Sequence, residues 1–224
     1  MNDFRYTGQA RDEIADAAYD TLTAGIPYGT GPKPIRYISG GRYRQDVMRN
    51  LDPSAYHPEM VSLGAIKSIM TSFVEIGSDL DRVKKALIYG KFASDLVPRV
   101  CGDSEFTVTA NKSENFNKVP PQIVHAIIGM AIETSALIDA LLKTIESGEP
   151  FDQANFVEEV GDTLWYAQLG VEAVDKSLDD AAWTNTRKLA VRYPDKFTSE
   201  AALNRNLDAE RAVLEADAGR IDVV

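Results

Sequence analysis

The sequence predicts an all-α protein. Apolar residues recur at helical spacing over long stretches, Gly and Pro cluster between those stretches, and nothing alternates strand with helix in a βαβ pattern. Five to seven helices are expected. The first covers residues 10 to 24, where Ile14, Ala17, Ala18 and Leu22 form one stripe. The run Gly25-Ile-Pro-Tyr-Gly-Thr-Gly-Pro-Lys-Pro34 then breaks the pattern. It reads as a linker or surface loop, because it lacks the Gly-Lys-Ser/Thr ending of a P-loop.

Residues 59 to 98 read as helix in two pieces, broken near Gly77-Ser78-Asp79, with Ser78 or Asp79 as the second N-cap. Residues 102 to 119 are polar, with a β-prone island at Phe106-Thr-Val-Thr109. Pro120-Pro121 opens a long helix that Gly148 and Pro150 stop after Ser147. A further helix runs from about Asp152 to Lys176. Another runs from about Asp179 to Arg192, ended by Pro194. The last begins near Ser199, taken as its N-cap with Glu200 in the first turn. Residues 1–58 are set apart as a partly helical N-terminal extension with a Gly/Pro-rich loop, residues 59–215 as the helical domain and residues 216–224 as an acidic tail.

The 224 residues suffice for one full core. No run approaches the roughly 18 unbroken apolar residues of a membrane span, and the N-terminus lacks a signal peptide's apolar core. A cytoplasmic protein with no membrane partner is expected. A single cysteine, Cys101, excludes an intrachain disulfide framework and a multi-thiolate zinc site. No activating base accompanies it, so it reads as inert. With 24 basic and 34 acidic residues the net charge is −10, which disfavours nucleic acid as a partner. A nucleotide remains compatible, because Mg2+ brings its own positive charge.

The chemistry is concentrated in two helices. Glu159 and Asp162 stand three apart, so both carboxylates leave one helical face. Glu133 lies in the preceding helix, and the intervening chain is long enough to turn at Gly148-Glu-Pro150 and return antiparallel. Solvated surface charge is the plain alternative. Against it, Glu133 lies among Ile127, Ile128, Met130, Ile132 and Leu137, and the other two lie beside Val160, Leu164 and Trp165. Such neighbours imply partial burial, and a buried carboxylate needs a partner. Oxygen ligands converging from two helices suit a hard cation such as Mg2+, with Mn2+ as the alternative. The next turn after Glu133 holds Ala136, which ligates nothing.

Asn185, Lys188 and Arg192 share a helical face and suit phosphate oxygens or a sugar hydroxyl. The plainer role for such cations is to complement the helix dipole. Trp165 reads as core-lining, while Tyr166 is open to either a core or a base-stacking role. His125, with apolar neighbours, reads as a packed or capped histidine.

These motifs resemble the all-α nucleoside triphosphate pyrophosphohydrolases of the MazG-like type, particularly versions often carried by phages. That family has Glu-x-x-Glu, about two dozen residues, then Glu-x-x-Asp. Here Glu133-Thr-Ser-Ala136 and Glu159-Val-Gly-Asp162, followed by Leu-Trp-Tyr, stand in that order. Downstream, Asn185-Thr-Arg-Lys188-Leu-Ala-Val-Arg192-Tyr193-Pro-Asp-Lys196-Phe197 and Ser199-Glu-Ala-Ala-Leu-Asn-Arg205 continue the likeness. Upstream, Val83-Lys-Lys-Ala-Leu-Ile-Tyr89-Gly-Lys91 and His125-Ala are similar too. The likeness spans roughly residues 79 to 215 and leaves residues 1 to 58 uncovered.

The resemblance implies an antiparallel helical bundle that assembles as a homodimer or homotetramer. It also implies Mg2+-dependent cleavage of a nucleoside or deoxynucleoside triphosphate to monophosphate and pyrophosphate. Glu133, Glu159 and Asp162 match catalytic metal ligands. Asn185, Lys188, Arg192 and Tyr166 match substrate contacts. Ala136 departs from the pattern. Glu158 points about 100° away from Glu159 on the helix and is a poor substitute. Asp139, one turn beyond Ala136, would have to reach. The competing expectation is a weakened or inactive relative acting as a nucleotide-binding or protein-interaction module.

Overall fold

The computed structural model describes residue 33 and residues 37–52, 57–91 and 118–218. The helix expected over 10 to 24, most of the Gly/Pro loop and the β-prone island at 106 to 109 lie outside those residues. Among the described residues the regular structure is helical throughout. It comprises α1 (Arg42–Arg49), α2 (Leu63–Tyr89), α3 (Pro121–Ser147), α4 (Gln153–Glu172), α5 (Leu178–Arg192), α6 (Ser199–Leu203) and α7 (Leu207–Ala218), with a 3-10 turn at Pro58–Met60. The chain forms two compact units. One is Pro58–Lys176, and the other joins the described residues up to His57 to those from Ser177 onward.

Local chemistry sets the helix ends. Ser62 caps α2 by accepting from the Ala65 N–H, and Gly90, with φ 64°, closes it in the left-handed region. Pro121 sits in the first turn of α3, where its missing N–H costs nothing, and Gly148, with φ 70°, ends that helix. Asp152 caps α4 by accepting from the N–H groups of Ala154 and Asn155. Ser177 and Asp180 make a reciprocal capping box at the start of α5.

Three expectations are corrected. The predicted break at Gly77-Ser78-Asp79 is absent, and α2 runs through it. A Cβ on Gly77 would lie 1.9 Å from Ser135 Oγ, so the glycine serves close approach of α2 to α3 rather than a turn. Ser78 donates its hydroxyl to the Val74 carbonyl at 3.1 Å instead of capping a helix. The C-terminal helix is two pieces, α6 and α7, and the cap of α6 is Thr198, not Ser199. Finally, α3 is long and apolar enough to cross a membrane by length and composition, with mean hydropathy 1.5 over its best window. The sequence shows no unbroken apolar run there because His125 and Glu133 interrupt it. Packing against α2 and α4 buries 17% of that window.

In the Pro58–Lys176 unit, α3 packs against both α2 and α4. The contacts fix the directions. Gly129 meets Tyr166 and Ala126 meets Gly170, so α4 descends as α3 ascends. Gly77 meets Ser135, Lys67 pairs with Glu146 at 2.9 Å, and the Tyr89 and His125 rings lie 6.4 Å apart, so α2 also runs antiparallel to α3. In the other unit, Tyr37 is fully buried and packs edge-on against Trp183, with centroids 5.3 Å apart. Its hydroxyl is hydrogen-bonded to Asp46 at 2.5 Å and Thr186 at 2.7 Å, which ties α1 to α5.

Candidate metal centre

The antiparallel pairing of α3 and α4 brings Glu133, Glu159 and Asp162 together. One carboxylate oxygen from each lies within 4.8 Å of the others. Glu133 and Glu159 are half-buried and Asp162 is exposed, so the cluster opens to solvent on one side. Burial pushes the Glu133 carboxyl above its ordinary range. Lys84 opposes that, and the charge of Glu159, a hydrogen bond to Glu159 and the charge of Asp162 add to it. Like charges crowded in this way favour any cation that enters.

Lys84 on α2 stands beside this cluster and is only 7% exposed. Its ammonium donates to the Tyr166 hydroxyl at 3.1 Å, lies 5.2 Å from the Tyr166 ring centroid and 3.8 Å from Asp81 Oδ1. Burial works against its charge, yet Tyr166, Glu133 and Asp81 outweigh that and hold its pKa above the ordinary value. No motif in the sequence marks Lys84 as part of the site. The signal was present: Lys84 falls on the heptad-spaced row with Met70 and Gly77, the buried positions of α2.

Tyr166 is buried, and its position depends on Gly129. A Cβ there would lie 2.3 Å from the Tyr166 ring, so only glycine lets the ring lie against the α3 backbone. The Tyr166 hydroxyl is thereby aimed at Lys84. His125 meets Tyr166, Trp165 and Tyr89 edge-on at 5.4, 6.1 and 6.4 Å between centroids. Burial and the Lys84 charge push the His125 pKa down. Its buried Nε2 finds no hydrogen-bond partner among the described residues. Trp165, expected to line the core, is 58% exposed, which corrects that expectation. Its position one residue before buried Tyr166 turns it off the packed face of α4.

Ala136 faces a cleft of about 310 Å3 lined also by Asp139, Lys143, Asp152, Asn155 and Glu159. Asp139 is paired with Lys143 at 2.5 Å, and Glu158 is exposed and outside the cluster.

The basic residues lie on α5, in the other unit. Lys188 donates to Asn185 Oδ1 at 2.7 Å, so these two are brought together on one face. Arg192 is engaged elsewhere. Its Nε and Nη2 donate to the two carboxylate oxygens of Glu210 at 2.9 and 2.6 Å, and Arg205 joins the same carboxylate at 2.6 Å. The two guanidinium groups hold the Glu210 carboxyl down at about 2.

No family model, no curated protein and no solved structure matches this chain.

Proposed function

We propose that the protein is a Mg2+-dependent pyrophosphohydrolase that cleaves a nucleoside or deoxynucleoside triphosphate to monophosphate and pyrophosphate. The observation that carries this reading is the convergence of Glu133, Glu159 and Asp162 from two antiparallel helices to within 4.8 Å. The donor set is all oxygen and anionic, which fits a hard divalent ion. Burial first, and then the crowding of like charges, raise the Glu133 pKa, and a cation would relieve that crowding. The likeness of the surrounding motifs to the MazG-like enzymes supplies the substrate class.

In this reading Glu133, Glu159 and Asp162 hold Mg2+. The ion supplies neutralisation of phosphate charge and a water of lowered pKa. Gly129 seats Tyr166, and Tyr166 seats Lys84, so the positive charge beside Glu133 is fixed before substrate arrives. The Asn185–Lys188 pair suits phosphate oxygens, supported by its geometry and the motif likeness. For Arg192 to contact phosphate it would have to leave Glu210. A homo-oligomer is part of the proposal. Its support is the row Ile66, Ile69, Phe73, Ile76 and Leu87, exposed along α2 at coiled-coil spacing.

Ala136 favours a second reading, a relative that binds nucleotide without turning it over. Pyrophosphate release from a panel of nucleoside and deoxynucleoside triphosphates, with Mg2+ and with EDTA, separates the two. Release with at least one nucleotide, abolished by EDTA, is expected. Nucleotide binding without release would favour the second reading.

A further inference from the structure

We propose that Trp165 is the platform on which the base of the nucleotide stacks, one helical turn from the metal centre; the proposal rests on the pyrophosphohydrolase reading above. The acidic cluster opens to solvent at Asp162, the exposed member of the three. Trp165 follows Asp162 by three residues on α4, so the two share a face, with roughly 5–6 Å between their Cβ atoms. A ligand whose phosphates reach the carboxylates through that opening has Trp165 beside it. A nucleotide brings the matching group, a flat ring joined to its phosphates through one sugar.

Single exposed aromatics are ordinary on protein surfaces. Trp165 belongs instead to a chain of rings. It meets Tyr166 edge-on at 4.9 Å and 89°, and His125 at 6.1 Å and 69°, while His125 meets Tyr89 at 6.4 Å. Tyr166 is buried and lies against α3 at Gly129, so the anchor of the chain is fixed. The indole is thus held from two sides while 58% of its surface stays in water. Folding has already ordered it, so a base that lands on it immobilises little more. The cleft beside Ala136, toward the other end of α3, has no aromatic among its lining residues and carries Asp139, Asp152 and Glu159. It offers a base no stacking face. Stacking uses the flat face that every base has, so the platform takes purines and pyrimidines alike.

The test is calorimetric titration of the purified full chain in Mg2+ with two probes. One is α,β-methylene ATP, whose bridge resists cleavage, and the other is inorganic tripolyphosphate, which has no base. Trp165→Ala should weaken the analogue about tenfold or more, as loss of one base–aromatic stack does, and leave tripolyphosphate unchanged. Trp165→Phe keeps a ring face and should keep most of the affinity. Trp165→Leu keeps bulk without a ring and serves in place of Trp165→Ala should that variant not fold, with the same result expected. Trp183 is buried in the other unit, so the analogue should quench tryptophan fluorescence in the natural protein and not in Trp165→Phe. Unchanged affinity for the analogue in a folded Trp165→Ala or Trp165→Leu would overturn the proposal and leave the metal centre standing. Equal weakening of both probes would do the same, because the ring would then support the centre and not the base. So would binding of tripolyphosphate without the analogue by the natural protein. Dissociation of a natural oligomer to monomers in Trp165→Ala, read by light scattering, would assign the ring to a second copy and overturn the proposal too. Neither probe bound by any form would overturn both the proposal and the metal-centre reading.

Discussion

Replacing Ala136 by Glu places an acid one helical turn from Glu133, on the lining of the cleft that Glu159 also lines. The cleft, about 310 Å3, has room for the added side chain without displacing a neighbour. In EDTA the change adds a fourth anion to a group where Glu133 is already held above its ordinary range. Like charges one turn apart on an exposed helix cost about 0.2–0.5 kcal/mol. Half-burial here raises that to about 1 kcal/mol, or about 2–4 °C in Tm for a chain of this size. With Mg2+ the sign turns. A fourth ligand that tightens Mg2+ tenfold contributes about 1.4 kcal/mol at saturation, enough to offset the loss. Ala136→Glu should therefore melt below the natural protein in EDTA and at or above it in millimolar Mg2+. Pyrophosphate release should rise, by as much as about a hundredfold if the attacking water is at present misaligned by about 1 Å. Equal loss of Tm with and without Mg2+ would show that position 136 does not reach the ion. An active natural protein that Ala136→Glu slows would show that the site works without an acid there.

Asp162→Asn should weaken the Mg2+-dependent rise in Tm and lower turnover, checked by melting across a Mg2+ series; an undiminished rise would place the ion elsewhere. Gly77→Ala puts a methyl 1.9 Å from Ser135 Oγ. Overpacking of about 1–3 kcal/mol should exceed the helix-propensity gain of about 1 kcal/mol and lower Tm, as urea melts would record. Glu210 is held at about 2 against an ordinary 4.5 by Arg192 and Arg205. A depressed carboxylate contributes stability above its unfolded pKa, and that contribution is lost as pH falls from about 4.5 toward about 2. Glu210→Gln should flatten stability against pH across that window, and an unchanged acid limb would count against the Arg192–Glu210–Arg205 cluster.

Local chemistry made much of this fold legible. Pro121, Gly148, Asp152 and Pro194 mark helix ends whose physics is contained within a few residues. The acidic triad was legible because two spacings and one turn suffice to bring three residues together. Other features depend on partners distant in sequence. Gly77 looks like a breaker until Ser135 is seen against it. Gly129 is uninformative until the Tyr166 ring lies on it. Lys84 reads as one more charge in a basic run, and only its place on the Met70–Gly77 row hints at burial. Arg192 matched a phosphate-binding pattern, but Glu210, eighteen residues on, already holds it. Trp165 was misplaced because a two-helix contact buries only part of the α4 circumference, and the neighbouring Tyr166 takes the inward position.

Product analysis of nucleoside triphosphate turnover by the natural protein and by Glu159→Gln tests whether the α3–α4 carboxylates drive pyrophosphate release. The natural protein in Mg2+ should give monophosphate and pyrophosphate in equal amounts, and Glu159→Gln, which removes the ligand candidate shared by the triad and the cleft, should give neither. Diphosphate and phosphate as products, or equal turnover by both forms, would contradict it.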